Sequence, residues 1–187
     1  MLDLCAAPGG KATALAGDGA KVVAADRRVA RAGLITGNRA RVGLDPHQLA
    51  VLAADGLHPP FAPGAFDRVL VDRRARASAP ASPPRRPVAA RSRGPGTARR
   101  APTGPAGGRS SLVRPGAPSS TRCAPSPRAE TTAVAEAFAA DHPGWQPVPV
   151  PGSPWASWGT GALLLPQAAG TDGMALFGWR APTAGAA

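Results

Sequence analysis

Short apolar runs and helical spacings alternate along the first part of the chain. Four apolar runs of strand length predict buried β-strands over residues 2–6, 22–25, 49–53 and 68–71. One helix is predicted to begin in the turn at 7–11 and to continue through about Leu15, and a second covers 29–42 and ends at Gly43. The apolar face expected for the second helix consists of Val29, Leu34, Ile35 and Val42. Strands that alternate with helices predict a parallel, right-handed, doubly wound α/β sheet.

Each predicted strand is followed by residues suited to bind a ligand. A turn with Gly9 and Gly10 follows the first strand at the start of a helix, where free backbone N–H groups and the helix dipole attract an anion. Asp26 follows the second strand, where it can accept hydrogen bonds from a ribose diol, and Asp55 and Asp72 follow the third and fourth. Because ligands of such sheets lie across the carboxyl ends of the strands, the four positions together predict one site.

Other interpretations of the same residues stay open at this point. A Gly-Gly turn is most often a plain loop, and an Asp after a strand usually caps a helix or is solvated. A nicotinamide-binding unit would also place an acidic residue at position 26. Its first turn would read Gly-x-Gly-x-x-Gly, however, whereas this turn reads Ala-Pro-Gly-Gly-Lys.

Charge and composition divide the chain. The 187 residues carry a net charge of +11, with 23 Gly and 23 Pro. Residues 73–128 hold 13 Arg and 11 Pro and no Lys, acidic or aromatic residue, so the rest of the chain is slightly acidic. A segment with so little apolar surface is expected to be disordered. We therefore predict an ordered part at 1–72, a disordered Arg/Pro-rich part at 73–128, a second ordered part at 129–180, and a tail at 181–187.

Composition also bears on compartment and partners. No apolar run is long enough to span a membrane, and the start of the chain lacks a secretory signal pattern. Two cysteines, Cys5 and Cys123, cannot make a disulfide framework, so we expect a cytoplasmic protein. The three histidines show no metal-ligand spacing. The arginines of 73–128 would adhere to RNA phosphates, whether or not the segment is a dedicated RNA-binding element.

The residues at the first strand carry a resemblance to a known family. The run from Leu2 to Lys11, Leu-Asp-Leu-Cys-Ala-Ala-Pro-Gly-Gly-Lys, resembles the first motif of the Sun/Fmu (NOL/NOP) family of S-adenosylmethionine-dependent RNA cytosine-5 methyltransferases. Val71-Asp72 resembles the start of the family's Asp-Ala-Pro-Cys motif. The segments 130–138 and 164–174 resemble a helix after the nucleophile motif and the closing motif. The resemblance covers 1–72 and 129–180.

The resemblance implies a Rossmann-like class I methyltransferase sheet that binds S-adenosylmethionine and acts on RNA, with ribosomal RNA as the expected partner and no metal. The loop that it assigns to the methionine end of the cofactor consists of Cys5, Ala6, Ala7, Pro8, Gly9, Gly10 and Lys11. Asp26 would hold the ribose and Asp55 the adenine side, whereas Asp72 would border both the cofactor and the cytosine. Cys5 is expected to be a small packed residue.

In the family, two cysteines carry out the covalent chemistry, in which a thiolate adds to the cytosine and later leaves it. Neither of the motifs that contain these cysteines is present here. Arg73-Arg74-Ala75 follows Asp72, and Cys123 lies in Arg-Cys-Ala-Pro-Ser near the place expected for the nucleophile. Cys123 is thus a candidate catalytic residue that lacks the family's flanking residues. The fifth strand is also expected to be missing, because residues 115–120 contain no β-branched or aromatic run.

A shift of reading frame would explain the segment 73–128. Ala-Pro-Cys-Ser-Gly-Leu in GC-rich codons, without its first base, encodes Arg-Arg-Ala-Arg-Ala, the sequence at 73–77. Ser-Val-Cys-Thr-Leu treated in the same way encodes Arg-Cys-Ala-Pro-Ser, the sequence at 122–126. Because Met1 already lies in the first predicted strand, we also expect the family's N-terminal extension to be missing. The sequence therefore leaves three interpretations: an enzyme, a cofactor- or RNA-binding remnant, or a polypeptide that does not fold.

Overall fold

The computed structural model describes residues 1–73, 110–123, 131–170 and 173–183 of the chain. The strands in these residues are β1 (Leu2–Asp3), β2 (Val22–Asp26), β3 (Leu49–Ala53), β4 (Val69–Arg73), β5 (Pro118–Cys123), β6 (Gln146–Pro147), β7 (Ala156–Trp158), β8 (Gly161–Leu164) and β9 (Met174–Arg180). The helices are α1 (Gly10–Gly17), α2 (Val29–Arg41), α3 (Thr132–Asp141) and α4 (Pro166–Ala169). No helix among the described residues is long and apolar enough to cross a bilayer.

The strands form one mixed sheet in the order β3-β2-β1-β4-β5-β9-β8-β7, and β6 pairs with the end of β9. β1 to β5 pair with one another in parallel, whereas β9 is antiparallel to both β5 and β8. The chain extends the sheet in one direction from β1 to β3 and in the other from β4 onward. The gap between the ends of β1 and β4 is therefore the switch point at which such sheets bind ligands. The predicted α/β class with a doubly wound parallel half is confirmed.

Alternation along β2 divides the core between the two faces of the sheet. Val22 and Ala24 pack with the α1 and α2 side, where Ile35 and Leu49 are fully buried. The neighbouring strand positions face the opposite cluster, whose buried members are Leu2, Leu4, Ala25, Phe66, Val69, Val71, Leu112, Val113 and Ala181. Apolar burial on both faces is what a parallel sheet covered on both sides requires.

The expectation that the fifth strand is missing is wrong. β5 pairs in parallel with β4, with Asp72 opposite Arg122, and in antiparallel with β9, with Arg122 opposite Leu176. β-propensity depends on context: two neighbouring strands supply hydrogen-bonding partners on both sides, and these override the lack of β-branched residues. Pro118 is the first residue of the strand, a position where its missing N–H is tolerated.

The predicted disorder of 73–128 is wrong for the part of it that the structure describes. Leu112 and Val113 are buried at 2% and 5% exposure, and the Phe66 N–H donates to the Leu112 carbonyl oxygen at 3.1 Å. These two apolar side chains fill the core beneath β4, so their segment gains enough burial to be ordered. Residues 74–109 and 124–128, where the remainder of the predicted disorder and of the frame shift falls, lie outside the described residues.

The apolar face predicted for α2 is wrong at three of its four positions. Ile35 is fully buried, whereas Val29, Leu34 and Val42 are 76%, 54% and 47% exposed. The helix turns its short side chains toward the sheet, because the alanine-rich loop and α1 approach it closely. Close approach buries Ala32 beside Ile35 and leaves the larger side chains outside.

Gly161 at the start of β8 is expected to tolerate no side chain. A Cβ atom there would lie 2.3 Å from the Leu176 carbonyl oxygen and 2.5 Å from Cδ1 of Phe177, both on β9. We expect Gly161→Ala to lower the free energy of unfolding by about 2 kcal/mol, because β8 and β9 must separate to admit the methyl group. Urea denaturation followed by circular dichroism measures this change.

Gly37→Ala is the matched control, because that glycine lies in α2 and an added methyl group there would enter open space. It should raise stability slightly through helix propensity. Equal stabilities of the Gly161→Ala variant and the unsubstituted chain would contradict the packing of β8 against β9.

Candidate functional site

A cavity of about 700 Å³ lies at the carboxyl ends of β1, β2 and β4. Its walls include most of the residues predicted from the sequence: Cys5, Ala6, Ala7, Pro8, Gly10, Lys11, Asp26, Asp55 and Asp72. Gly9, which was also predicted, is buried against Ile35 of α2 and does not itself line the cavity. Sequence reasoning missed the other lining residues, which are Asp3, Leu4, Arg27, Arg28, Arg31, Gly56 and Leu57. The structure therefore brings together the ends of neighbouring strands that the sequence pattern singled out.

The loop between β1 and α1 depends on the conformation of Gly9. Its φ of 108° lies in the left-handed region, and an added Cβ would be 3.1 Å from Cγ2 of Ile35. The Gly9 carbonyl oxygen accepts hydrogen bonds from the backbone N–H of Thr13 at 2.8 Å and from its hydroxyl at 2.9 Å. These contacts begin α1 directly behind the loop, so the first-turn N–H groups of α1 lie at the edge of the cavity.

Asp26 is buried at the end of β2 and fixed by the start of α2. Its Oδ1 accepts the backbone N–H of Arg28 at 3.1 Å, and its Oδ2 lies 3.6 Å from Nε of Arg31. The carboxylate is only 6% exposed. Because a carboxylate has about four acceptor sites, these contacts leave capacity for hydroxyl donors from a ligand.

Asp55 follows β3 and lines the cavity from the other side. Its Oδ1 accepts the backbone N–H of Leu57 at 3.0 Å, and its carbonyl oxygen accepts the N–H of His58 at 3.0 Å. These two contacts close a tight turn, which presents Gly56 to the cavity beside Leu4. Asp55 thus stabilises a turn and caps no helix, so the helix-cap interpretation does not hold for it, and it remains part of the cavity wall.

Lys11 and Asp72 form an ion pair between the start of α1 and the end of β4. Their side chains are 38% and 24% exposed, so solvent screens the attraction only in part. The pair joins the first and fourth strand ends across the switch point. It leaves a positive and a negative group side by side at the cavity wall.

Asp3 lines the cavity but is not among the site residues predicted from the sequence. Its pKa is strongly shifted by burial. It is 1% exposed and accepts the backbone N–H of Cys5 at 3.3 Å. Burial raises the pKa of Asp3 to about 6; the Cys5 N–H lowers it, Asp72 raises it and Lys11 lowers it by smaller amounts. The signal available in the sequence was a charged residue inside an apolar strand, since aspartate is almost never fully buried without a partner.

The two cysteines have different positions relative to the cavity. Cys5 lines it, with its sulfur in the thiol form. The backbone of Cys123 ends β5 in register with Arg73, one position beyond the pair formed by Asp72 and Arg122. Its thiol lies outside the part of the chain that the structure describes. Among the described residues, no three His, Cys, Asp or Glu side chains form a group that could hold a metal ion.

Comparison with known proteins gives a consistent result. A family profile described as "16S rRNA methyltransferase RsmB/F" matches residues 1–96. The chain is 35% identical over 86 residues to the tRNA (cytosine(72)-C(5))-methyltransferase NSUN6 of Mus musculus. That match covers 38% of this chain and 18% of the mouse protein, so the chain spans a small part of its relative.

Solved structures share the fold. The crystal structure of PH0851 matches with a TM-score of 0.70 at 19% identity, over 95% of this chain and 41% of that one. NSun6 from Pyrococcus horikoshii, solved with SFG, matches with a TM-score of 0.63 at 16% identity, over 96% of this chain and 47% of that one. These likenesses confirm the predicted Rossmann-like class I methyltransferase fold.

Proposed function

Because the chain belongs to the family of 16S rRNA methyltransferases RsmB/F, we propose that its cavity binds S-adenosylmethionine for methylation of cytosine C5 in RNA. Ribosomal RNA is the proposed substrate, and the cytoplasm is the proposed location. Residues 1–72 are the cofactor-binding half of the domain, and 129–180 are its C-terminal part.

One observation carries the proposal: the cavity joins a glycine loop at a helix N-terminus to carboxylates that follow neighbouring strands. The chemistry of this set fits the cofactor. Backbone N–H groups suit the carboxylate of an amino acid, and buried carboxylates suit ribose hydroxyls and positive groups. Residues 5–11 would hold the methionine end, Asp26 the ribose and Asp55 the adenine side.

The cofactor supplies a methyl group on a positively charged sulfur. The protein side chains around it orient the ligand and set the local charge. Asp72, paired with Lys11, occupies the end of β4 between the proposed cofactor region and β5. This position supports its proposed role at the border of cofactor and cytosine, where the ion pair would hold a polar edge of the base.

The family's chemistry requires a thiolate that adds to the cytosine ring. We propose Cys123 as that group in this chain. Its backbone at the end of β5, beside the end of β4, supports the proposal. Cys5 belongs to the loop next to Asp3 and is proposed as a packing residue.

Two measurements test the proposed function. Titration calorimetry with S-adenosylmethionine and with S-adenosylhomocysteine should show binding at one site per chain. Ribosomal RNA labelled with tritium at cytosine C5 should then release tritium when the cofactor is added. Cys123→Ala should abolish the release and leave binding unchanged, whereas Cys5→Ala should leave the release in place.

The outcomes separate the proposal from its rival. Binding without tritium release from the unsubstituted chain would identify a cofactor-binding remnant, which the departures around Cys123 favour. Absence of binding by a chain that melts cooperatively would refute both. A chain without a cooperative melt would support the interpretation that the polypeptide does not fold.

A further inference from the structure

Helix α2 contacts the loop between β1 and α1 through three residues. Arg31, Ile35 and Asn38 are spaced four and three residues apart, so they lie on one face of the helix. None of the interpretations of the sequence assigned them a role in the site, and Asn38 does not line the cavity.

The contacts of this face fall on successive residues of the loop. Nη2 of Arg31 donates to the Ala7 carbonyl oxygen at 2.6 Å, and Nδ2 of Asn38 donates to the Pro8 carbonyl oxygen at 2.7 Å. Ile35 lies against Gly9. Two successive carbonyl groups are therefore held by side chains of α2. Of their two peptide units only the one between Pro8 and Gly9 carries an N–H, because proline has none.

The Pro8 contact sets the direction of an amide. In a planar trans peptide the N–H points opposite to the C=O of the same unit. Because Asn38 holds the Pro8 carbonyl toward α2, the N–H of Gly9 points away from α2. The Asn38 contact therefore fixes the peptide plane between Pro8, which lines the cavity, and Gly9 behind it, and so fixes the conformation of the loop.

Asn38 is itself oriented by a second side chain. Nη2 of Arg41 donates to Oδ1 of Asn38 at 3.2 Å. Since this contact occupies the oxygen of the side-chain amide, its nitrogen is left to face Pro8. Arg41, Asn38 and the Pro8 carbonyl thus form a short chain of hydrogen bonds that ends at the loop.

We propose that Asn38 is a positioning residue for the amino-acid end of the cofactor, acting through the Pro8 carbonyl group and oriented by Arg41. The inference rests on the proposed function. Arg31 also donates to the loop, at the Ala7 carbonyl oxygen, but it approaches Asp26 as well. It therefore links the loop to the side of the cavity that is proposed to hold the ribose. Asn38 is the cleaner position to test because its side chain donates to the loop and does not line the cavity.

Asn38→Asp removes the donor at almost constant shape and places a carboxylate against the Pro8 carbonyl. We expect it to weaken binding of S-adenosylhomocysteine about tenfold, as for the loss of one hydrogen bond with added repulsion. Binding of adenosine, which lacks the amino-acid end, should change less than twofold. Titration calorimetry with both ligands measures this split, and Asn38→Gln, which retains a donor, should recover part of the affinity.

Arg39→Gln is the matched control. Its side chain also donates from α2 to a backbone carbonyl, that of Leu49 at 3.1 Å, but not to the loop. It should leave both affinities within twofold. Equal weakening of both ligands in Asn38→Asp, or no weakening of either, would overturn the positioning role, provided that near-UV circular dichroism shows a folded variant. Failure of the unsubstituted chain to bind either ligand would instead refute the proposed function.

Discussion

Asp3→Asn is expected to raise the free energy of unfolding by about 3 kcal/mol above pH 7. Burial raises the pKa of Asp3 from 3.8 to about 6, and one pKa unit corresponds to about 1.4 kcal/mol. At neutral pH the folded chain holds the ionised form in a site that favours the neutral form. Asparagine has nearly the same shape, stays neutral, and can still accept the Cys5 N–H through its side-chain oxygen.

The effect of Asp3 on the free energy of unfolding depends on pH, and its sign follows from the protons bound in the folded and unfolded chains. Between about pH 4 and pH 6 the folded chain binds a proton at Asp3 that the unfolded chain has released. The contribution of Asp3 is therefore favourable at low pH and is lost as the pH rises through 6. Urea denaturation from pH 4 to pH 8 should show this loss in the unsubstituted chain and a smaller slope in Asp3→Asn.

Asp18→Asn is the control for this series, since Asp18 is an exposed carboxylate at the end of α1. That variant should keep the slope of the unsubstituted chain. If Asp3→Asn were less stable than the unsubstituted chain at pH 8, the buried carboxylate would have a compensating partner that the described contacts do not include.

Asp26→Asn is expected to weaken binding of S-adenosylhomocysteine about 100-fold. Under the proposed function the carboxylate accepts two ribose hydroxyl groups, and a hydrogen bond to a charged group contributes about 1.5–3 kcal/mol. The asparagine keeps an oxygen for the Arg28 N–H, so the start of α2 is preserved while the charge is lost. Titration calorimetry measures the change.

A ligand that lacks one ribose hydroxyl group tests directly whether Asp26 binds the ribose. The unsubstituted chain should prefer adenosine to 2′-deoxyadenosine, and Asp26→Asn should lose most of that preference. Asp45→Asn is the matched control: Asp45 accepts the backbone N–H groups of His47 and Gln48 in a similar local turn but lies outside the cavity wall. A preference retained in Asp26→Asn would place the ribose elsewhere.

The sequence predicted the parallel half of the fold well because its signals are local. Strands β1 to β4 are apolar runs, and the carboxyl ends of parallel strands must meet, so Asp26, Asp55 and Asp72 came together as expected. β5 was missed because its pairing depends on neighbours far away in the chain. The face of α2 was wrong because close packing selected its small residues over its large ones.

For the cavity wall, too, local sequence predicted some residues, whereas others depend on contacts between distant parts of the chain. The loop residues were found through a distinctive run of sequence, whereas Arg31 and Asn38 act on that loop from 24 and 30 positions away. Nothing in the spacing of a single sequence indicates that an arginine and an asparagine on a helix will reach those carbonyl groups. Asp3 was visible, but its meaning depends on a burial that only the sheet reveals.

The place of β5 in the sheet has a consequence for how the chain reaches its native topology. Asp72 pairs with Arg122, and Arg122 pairs with Leu176, so each side of the strand closes a loop of about fifty residues. Closure entropy opposes such pairings more than it opposes the nearby contacts among β1, α1 and β2. The pairing of β1 with β4, Leu2 with Val69, closes a longer loop still, so high contact order lies along the pairings β1–β4, β4–β5 and β5–β9, which we expect to limit the rate of folding.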